Sequence, residues 1–255
     1  MKFVDTHSHL YDTAFSEDID AVVKRAIEKG VTKIVLPDID SESRDSMFTL
    51  ATQYPNIFSP CLGLHPTSIK ENWEEEFNEL SKYQDKKIWA IGEIGIDAYW
   101  TKEFLEQQKK VFIEQLHLAR YLNLPVIIHS RESTKIILDI LKDVKHLNLS
   151  GVFHAYSGSI ESYRELQNLG NWYIGLGGVI TYKRASIAET LKEIPLERIV
   201  LETDSPYLSP VPKRGKRNES SYIPFIADKI AELKEISIEE VAEITTKNAE
   251  NLFKI

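Results

Sequence analysis

Apolar residues fall in short, nearly unbroken runs separated by stretches of helical periodicity. The runs cover residues 2–7, 33–36, 58–64, 88–94, 125–129, 151–154, 172–176 and 199–202. They are apolar almost throughout instead of alternating, as parallel strands buried on both faces require. Between the first two runs, Ile19, Val22, Val23, Ala26 and Ile27 follow the three-four spacing of one helix face. Lys29-Gly30 then supplies a C-terminal stop. The same periodicity predicts a long helix over 102–123, ended by Asn123 and Pro125, and two more over 221–234 and 238–253.

Eight strands, each followed by a helix, in 255 residues define an α/β chain of the (β/α)8 TIM-barrel type. No internal repeat or Pro/Gly/Ser-rich linker divides the chain, so residues 1–255 are expected to form a single domain. A doubly wound open sheet shares the alternation, but its dinucleotide-binding version carries a Gly-rich turn after the first strand. Here that strand ends in Thr6-His7-Ser8-His9. The barrel is the better fit.

Composition narrows the classes. Hydrophobic residues at 42% and charged residues at 27% suit a globular, soluble chain and exclude disorder, a collagen-like fibre and a membrane bundle. The longest apolar runs fall far short of the roughly 20 residues of a bilayer span. Asp5 interrupts the stretch a signal peptide would keep apolar. The single cysteine, Cys61, cannot form an internal disulfide, so a cytoplasmic location is expected. Its place inside the third strand makes it a core residue. The 31 basic and 39 acidic residues give a net charge of −8. Any contact with nucleic acid therefore needs a local patch or a bound metal, since no global positive field exists.

The candidate chemistry lies at strand ends. His7 and His9 are two apart on the first strand and point to one side. Glu93 ends the fourth strand, His129 the fifth and His154 the sixth, and Asp204 follows the eighth. In a barrel these positions converge on the C-terminal mouth, where loops build the active site. Four imidazoles and two carboxylates suit Zn²⁺, Mn²⁺, Fe or Ni better than a pure Mg²⁺ or Ca²⁺ cage. Six ligands exceed the needs of one tetrahedral ion and suggest two divalent cations sharing a carboxylate. Such a pair can bind a phosphoryl oxygen, acidify a water and stabilise a leaving alkoxide. Asp204 is the best-placed general base. His117 and His146, away from strand ends, read as structural or exposed.

The strings Asp5-Thr6-His7-Ser8-His9, Gly63-Leu64-His65-Pro66, Gly92-Glu93-Ile94-Gly95-Ile96-Asp97, His129-Ser130-Arg131, Phe153-His154-Ala155-Tyr156-Ser157-Gly158 and Glu202-Thr203-Asp204-Ser205-Pro206-Tyr207-Leu208 resemble the TatD-type metal-dependent deoxyribonucleases of the amidohydrolase superfamily. The resemblance runs from residue 5 to the last helices, with six motifs in the family's order. It implies one cation held by His7, His9, Glu93 and Asp204, and a second held by Glu93, His129 and His154, with Glu93 bridging. It also implies hydrolysis of DNA from the 3′ end, usually with Mg²⁺. The chain departs from the family at Ala155-Tyr156, where Cys-Phe is common, at Glu202, where Asp is usual, and at Ser220, where Pro is common. None of these removes an expected ligand.

Contacts to a nucleic-acid backbone need cations. Lys213, Arg214, Lys216 and Arg217 follow the last expected ligand on a long loop and are candidates, as is Arg131. His65 can hydrogen-bond a phosphate oxygen or brace its loop. Tyr99-Trp100 can stack on bases or pack. Gly175-Leu176-Gly177-Gly178 lacks the spacing of a nucleotide fingerprint and reads as room for close backbone approach. The leading expectation is a 3′-to-5′ deoxyribonuclease acting on single strands or 3′ ends, with no membrane and no obligate protein partner. A metallohydrolase of small-molecule amides, ester or lactone bonds is the alternative. A non-catalytic metal-loaded binding protein is a third reading, and fold alone does not choose.

Overall fold

The structure, a computed structural model, describes residues 1–83 and 85–255. Its strands are β1 (Phe3–Asp5), β2 (Val31–Leu36), β3 (Phe58–Pro60), β4 (Ile91–Asp97), β5 (Val126–Arg131), β6 (Ser150–Phe153), β7 (Asn171–Leu176) and β8 (Ile199–Leu201). The helices are α1 (Ile19–Glu28), α2 (Ser41–Gln53), α3 (Trp73–Glu79), α4 (Leu105–Leu122), α5 (Thr134–Asp143), α6 (Ile160–Gln167), α7 (Ile187–Glu193), α8 (Ile223–Lys234) and α9 (Ile238–Phe253). Each strand pairs in parallel with its sequence neighbour, within β1–β3 and within β4–β8. Two seams join the groups. Leu62 bonds to Ala90 and Gly92 between β3 and β4. Thr6 bonds to Leu201, and His9 to Ser205, between β1 and β8. The fold is a (β/α)8 barrel.

Alternation along the strands sorts two apolar groups. Val4, Val35, Cys61, Ala90, Ile127, Val152, Tyr173 and Val200, one per strand or its direct extension, form a buried cluster with Ala249, Leu252 and Phe253 of α9. This is the barrel interior, sealed at the bottom by α9. The intervening residues, such as Ile34, Ile128 and Ile174, join the larger cluster shared with the helices. Cys61 is core, as expected.

Several boundaries differ from the sequence pattern. The fourth strand spans Ile91–Asp97 and not 88–94, so Glu93 sits inside it and Asp97 ends it. Polar residues stay in that strand because Gly95 pairs with His129 and Asp97 with Arg131. Gly95 has φ +142°, and a Cβ there would meet the His129 carbonyl at 2.1 Å. The third strand closes at Pro60, and 61–65 continue as an irregular extension. The long helix starts at Leu105, and α8 at Ile223 after a short 3-10 turn, Ser220–Tyr222. His117 and His146 are both exposed, far from the strand ends.

Candidate metal centre

The interior period of two continues upward from the apolar layer and delivers the site. Ile127 leads to His129, Val152 to His154, Val200 to Glu202 and Asp204, and Cys61 through Gly63 to His65. His7 and Glu93 lie one step off this period, His7 past the end of β1 and Glu93 within the register shift between Ile91 and Ile94. Gly175 makes room for Glu202, since a Cβ there would lie 2.0 Å from Glu202 Oε2.

Six residues singled out by sequence converge. His7 Nε2 lies 3.1 Å from His9 Nε2 and 3.0 Å from Glu93 Oε2. Asp204 Oδ1 is 3.7 Å from His7 Nε2 and 3.5 Å from His9 Nε2. On the other side, Glu93 Oε1 faces His129 Nδ1 at 2.7 Å and His154 Nε2 at 3.5 Å. Donors held about 2.0–2.1 Å from one ion are separated by about 3.0–3.4 Å in octahedral or tetrahedral arrangements. The observed spacings, from 2.7 to 3.7 Å, bracket that range. Among the described residues, His7 with His9 and Asp204 form a compact set that could hold a metal ion, and His65, Glu93 and His129 gather as closely on the other side.

Ring orientation supports the same use. His9 Nδ1 lies 2.9 Å from the Tyr11 hydroxyl, which donates to the Pro37 carbonyl and so accepts from His9. His154 Nδ1 lies 3.1 Å from Glu202 Oε1, and His129 Nε2 lies 2.9 Å from Asp97 Oδ2. In each case the outer nitrogen has a partner that takes its proton-bearing side, leaving the inner lone pair directed at the cluster. His65 differs. Its Nδ1 accepts from the Thr67 backbone N–H at 3.1 Å, so the proton of the neutral ring sits on Nε2, which faces Glu93 Oε1 at 3.3 Å. It presents a donor to the site and not a ligand lone pair.

The local field favours positive charge. Burial disfavours ionised Glu93, but His65, His7, His154 and His129 outweigh it and hold the carboxyl well below the usual range. For Asp204, burial is likewise overcome, by the His9 hydrogen bond and by His154 and His7. Burial disfavours charged His154, yet Glu202 and Glu93 push its ring up to about 10. A cluster that draws positive charge this strongly is chemically suited to a divalent cation.

Sequence reasoning missed Asp97, Glu202 and Tyr11 as orienting partners. A signal existed for two of them: Tyr11 continues the His7-x-His9 alternation, and Glu202 precedes Asp204 by two. The cluster opens into a cavity of about 500 Å³ lined also by His65, Thr67, Trp100, Arg131, Tyr207 and Leu208. Arg131 stacks 3.8 Å from the Tyr99 ring centre and 5.1 Å from that of Trp100. The structure does not bring Lys213, Arg214, Lys216 or Arg217 into this cavity. Arg217 is engaged elsewhere, bonded to Asp18 Oδ2 at 2.7 Å and packed over Phe15.

A barrel with a histidine–carboxylate cation cluster at its mouth is, by class, a barrel metallohydrolase. Comparison with known proteins agrees. The family described as TatD related DNase matches residues 4–254. The metal-dependent hydrolase YabD of Bacillus subtilis is 40% identical, covering 98% of both chains. YcfH of Escherichia coli K12, also described as a metal-dependent hydrolase, is 33% identical over 100% of this chain and 97% of its own. The crystal structure of the TatD homologue YjjV from E. coli K12 superposes with a TM-score of 0.89 at 32% identity, covering 99% and 98%. The chain belongs to the TatD family of metal-dependent hydrolases.

Proposed function

We propose that this hydrolase is a deoxyribonuclease that removes nucleotides from the 3′ end of single-stranded DNA, with two divalent cations (Mg²⁺, Mn²⁺ or Zn²⁺) in its site. The observation that carries the two-cation reading is the placement of Glu93. Its Oε2 faces His7 and His9 at 3.0 and 3.7 Å, while Oε1 faces His129 and His154 at 2.7 and 3.5 Å. One carboxylate thus serves two imidazole pairs. His7, His9, Glu93 and Asp204 would hold one ion, and Glu93, His129 and His154 the other. Bound there, the ions would supply Lewis-acid polarisation of a phosphoryl oxygen and a more acidic water.

The protein's own residues supply the rest. The Asp204 side chain is 16% exposed, against 3% for Glu93 and 1% for Glu202, so it is the carboxylate most open to the cavity. Held ionised, it accepts the proton of an attacking water. His65, a half-buried imidazole that desolvation keeps neutral, donates from Nε2 to a phosphate oxygen. Arg131, held between Tyr99 and Trp100, adds a charged donor at the cavity wall. Lys213, Arg214 and Lys216 contact the strand farther out, while Arg217 braces the loop through Asp18. The protein acts in the cytoplasm and needs no protein partner. Among the described residues, no helix is long and apolar enough to cross a membrane.

A small-molecule amide, ester or lactone hydrolase is the second reading, favoured by a cavity of about 500 Å³ in a chain of net charge −8. Parallel assays separate the two. Release of mononucleotides from a 3′-labelled single strand, together with turnover of a chromogenic phosphodiester, is the expected result. Hydrolysis of lactones or amides with intact DNA would overturn it.

A further inference from the structure

Outside the metal centre, two neighbouring mouth loops carry a concentration of positive charge that the fold leaves largely unpaired. One follows β7 and contains Lys183 and Arg184. The other follows β8 and contains Lys213, Arg214, Lys216 and Arg217. No acidic residue occurs between 171 and 188 or between 205 and 218, in a chain where acids outnumber bases 39 to 31. Among the described residues, only Arg217 of the six makes an ion pair. Five cations therefore stand without counter-charges.

The two loops are fastened to each other. The Val211 N–H donates to Thr181 Oγ1 at 2.8 Å, and the Tyr182 hydroxyl donates to the Ser209 carbonyl at 3.0 Å. Gly178 permits the close approach, since a Cβ there would lie 2.1 Å from the Leu208 carbonyl. Between the loops lies a cleft of about 470 Å³ lined by Tyr182, Lys183, Arg184 and Arg214. The Arg214 guanidinium lies over the Tyr182 ring, 4.3 Å from its centre, a cation–π contact that partly pre-orders it. Like charges are brought together here by a built connection, at an electrostatic cost that an anionic ligand would relieve.

The cleft and the active-site cavity are reached by one loop, the segment after β8. Tyr207 and Leu208 line that cavity, and the same segment reaches Arg214 six residues after Leu208. Six residues span at most about 20 Å, so one strand of a few nucleotides reaches from one to the other. We propose that this cleft is a second binding site for the phosphodiester backbone of a single DNA strand, engaging nucleotides upstream of the one in the cavity. The proposal rests on the deoxyribonuclease reading above and adds Lys183, Arg184 and Tyr182 to the residues that meet substrate. It makes the enzyme grip long strands more tightly than short ones.

The test compares the metal-loaded wild type with Lys183→Gln/Arg184→Gln, two exposed positions with no partner to lose. Binding of phosphorothioate-linked dodecanucleotide and trinucleotide is followed by fluorescence anisotropy across a salt series. The variant should bind the dodecamer about tenfold more weakly at low salt, with a salt slope flatter by about 1.4 for two lost phosphate contacts. Its affinity for the trinucleotide, too short to span both sites, should move less than twofold. Equal dodecamer affinity and slope in the two proteins would overturn the cleft and leave the nuclease reading standing. A parallel loss on both lengths would likewise overturn it. A wild type that neither binds nor cuts the unmodified dodecamer would overturn both.

Discussion

Two layers of the barrel interior, two residues apart on the same strands, have opposite chemistry. The lower layer, with Ile127, Val152 and Val200, is apolar, buried and sealed by Leu252 and Phe253 of α9. The upper layer, with His154 and Glu202 buried and His129 and Asp204 partly so, concentrates polar groups that burial alone would make costly. The lower layer gains from removal of apolar area from water. The upper one is tolerable because carboxylates and imidazoles balance one another, and it gains fully only when a cation joins them. Stability and chemistry are thus separated along one period-two pattern, and substitutions in the two layers should have opposite signatures.

The largest effect is expected at the mouth. Asp204→Asn keeps the shape but loses the proton acceptor, so turnover should fall by roughly 10²- to 10⁴-fold. Its unfolding free energy in urea should fall by only about 1 kcal/mol, because the attraction to His9, His154 and His7 that is lost belongs to the most solvent-exposed carboxylate of the cluster. Leu252→Ala in α9 should do the reverse. It should cost about 2–5 kcal/mol of stability by opening a cavity at the barrel floor, with turnover per folded molecule nearly unchanged. If Asp204→Asn instead unfolds the protein, the layers are not separable and the comparison breaks.

How far the sequence discloses this division depends on what each residue must do. His7, His9, Glu93, His129, His154 and Asp204 were legible because polar residues ending apolar strands have few uses except a site. The orienting residues were harder to read: the spacing of Tyr11 and Glu202 places them beside the site, but sequence does not reveal which ring nitrogen faces inward. Asp97 reads as a turn acid until its 2.9 Å contact with His129 Nε2 is visible. The run Lys213 to Arg217 reads as one patch, yet Asp18 captures only Arg217. Lys183 and Arg184 were invisible as partners of Arg214, since the bonds joining their loops, from Val211 to Thr181 and from Tyr182 to Ser209, are tertiary. Strand boundaries shifted where glycines let a polar segment, 92–97, pair as β4.

A smaller effect tests the orienting shell. Glu202→Gln retains the shape and can still accept the Ala155 N–H, but weakens the hold on His154 Nδ1. Affinity for added Mn²⁺ or Zn²⁺, measured by calorimetry, should fall about 10- to 100-fold. An unchanged affinity would show that His154 is oriented by packing against His7, whose ring stacks on it at 3.6 Å, and not by Glu202.

The smallest effect comes from the outer rim, where polar groups of the mouth do contribute to stability. Glu219 receives two hydrogen bonds from Arg25 of α1, at 2.8 and 2.6 Å, and so ties the loop after β8 to the first helix. Burial raises the Glu219 carboxyl, but Arg25 and the Ser221 hydroxyl outweigh it and hold it below the ordinary 4.5. A depressed folded-state value gives stability that is present above the unfolded value and is lost as pH falls through the folded one. The Arg25 side chain is 42% exposed, so solvent screens the pair and discounts its worth. Glu219→Gln should therefore cost only about 1–2 kcal/mol at pH 7. Urea unfolding should show that gap closing below pH 4.5, as the wild type loses its charge. A gap that persists at pH 3 would assign the contribution to packing, and the rim would then belong with the apolar layer below it.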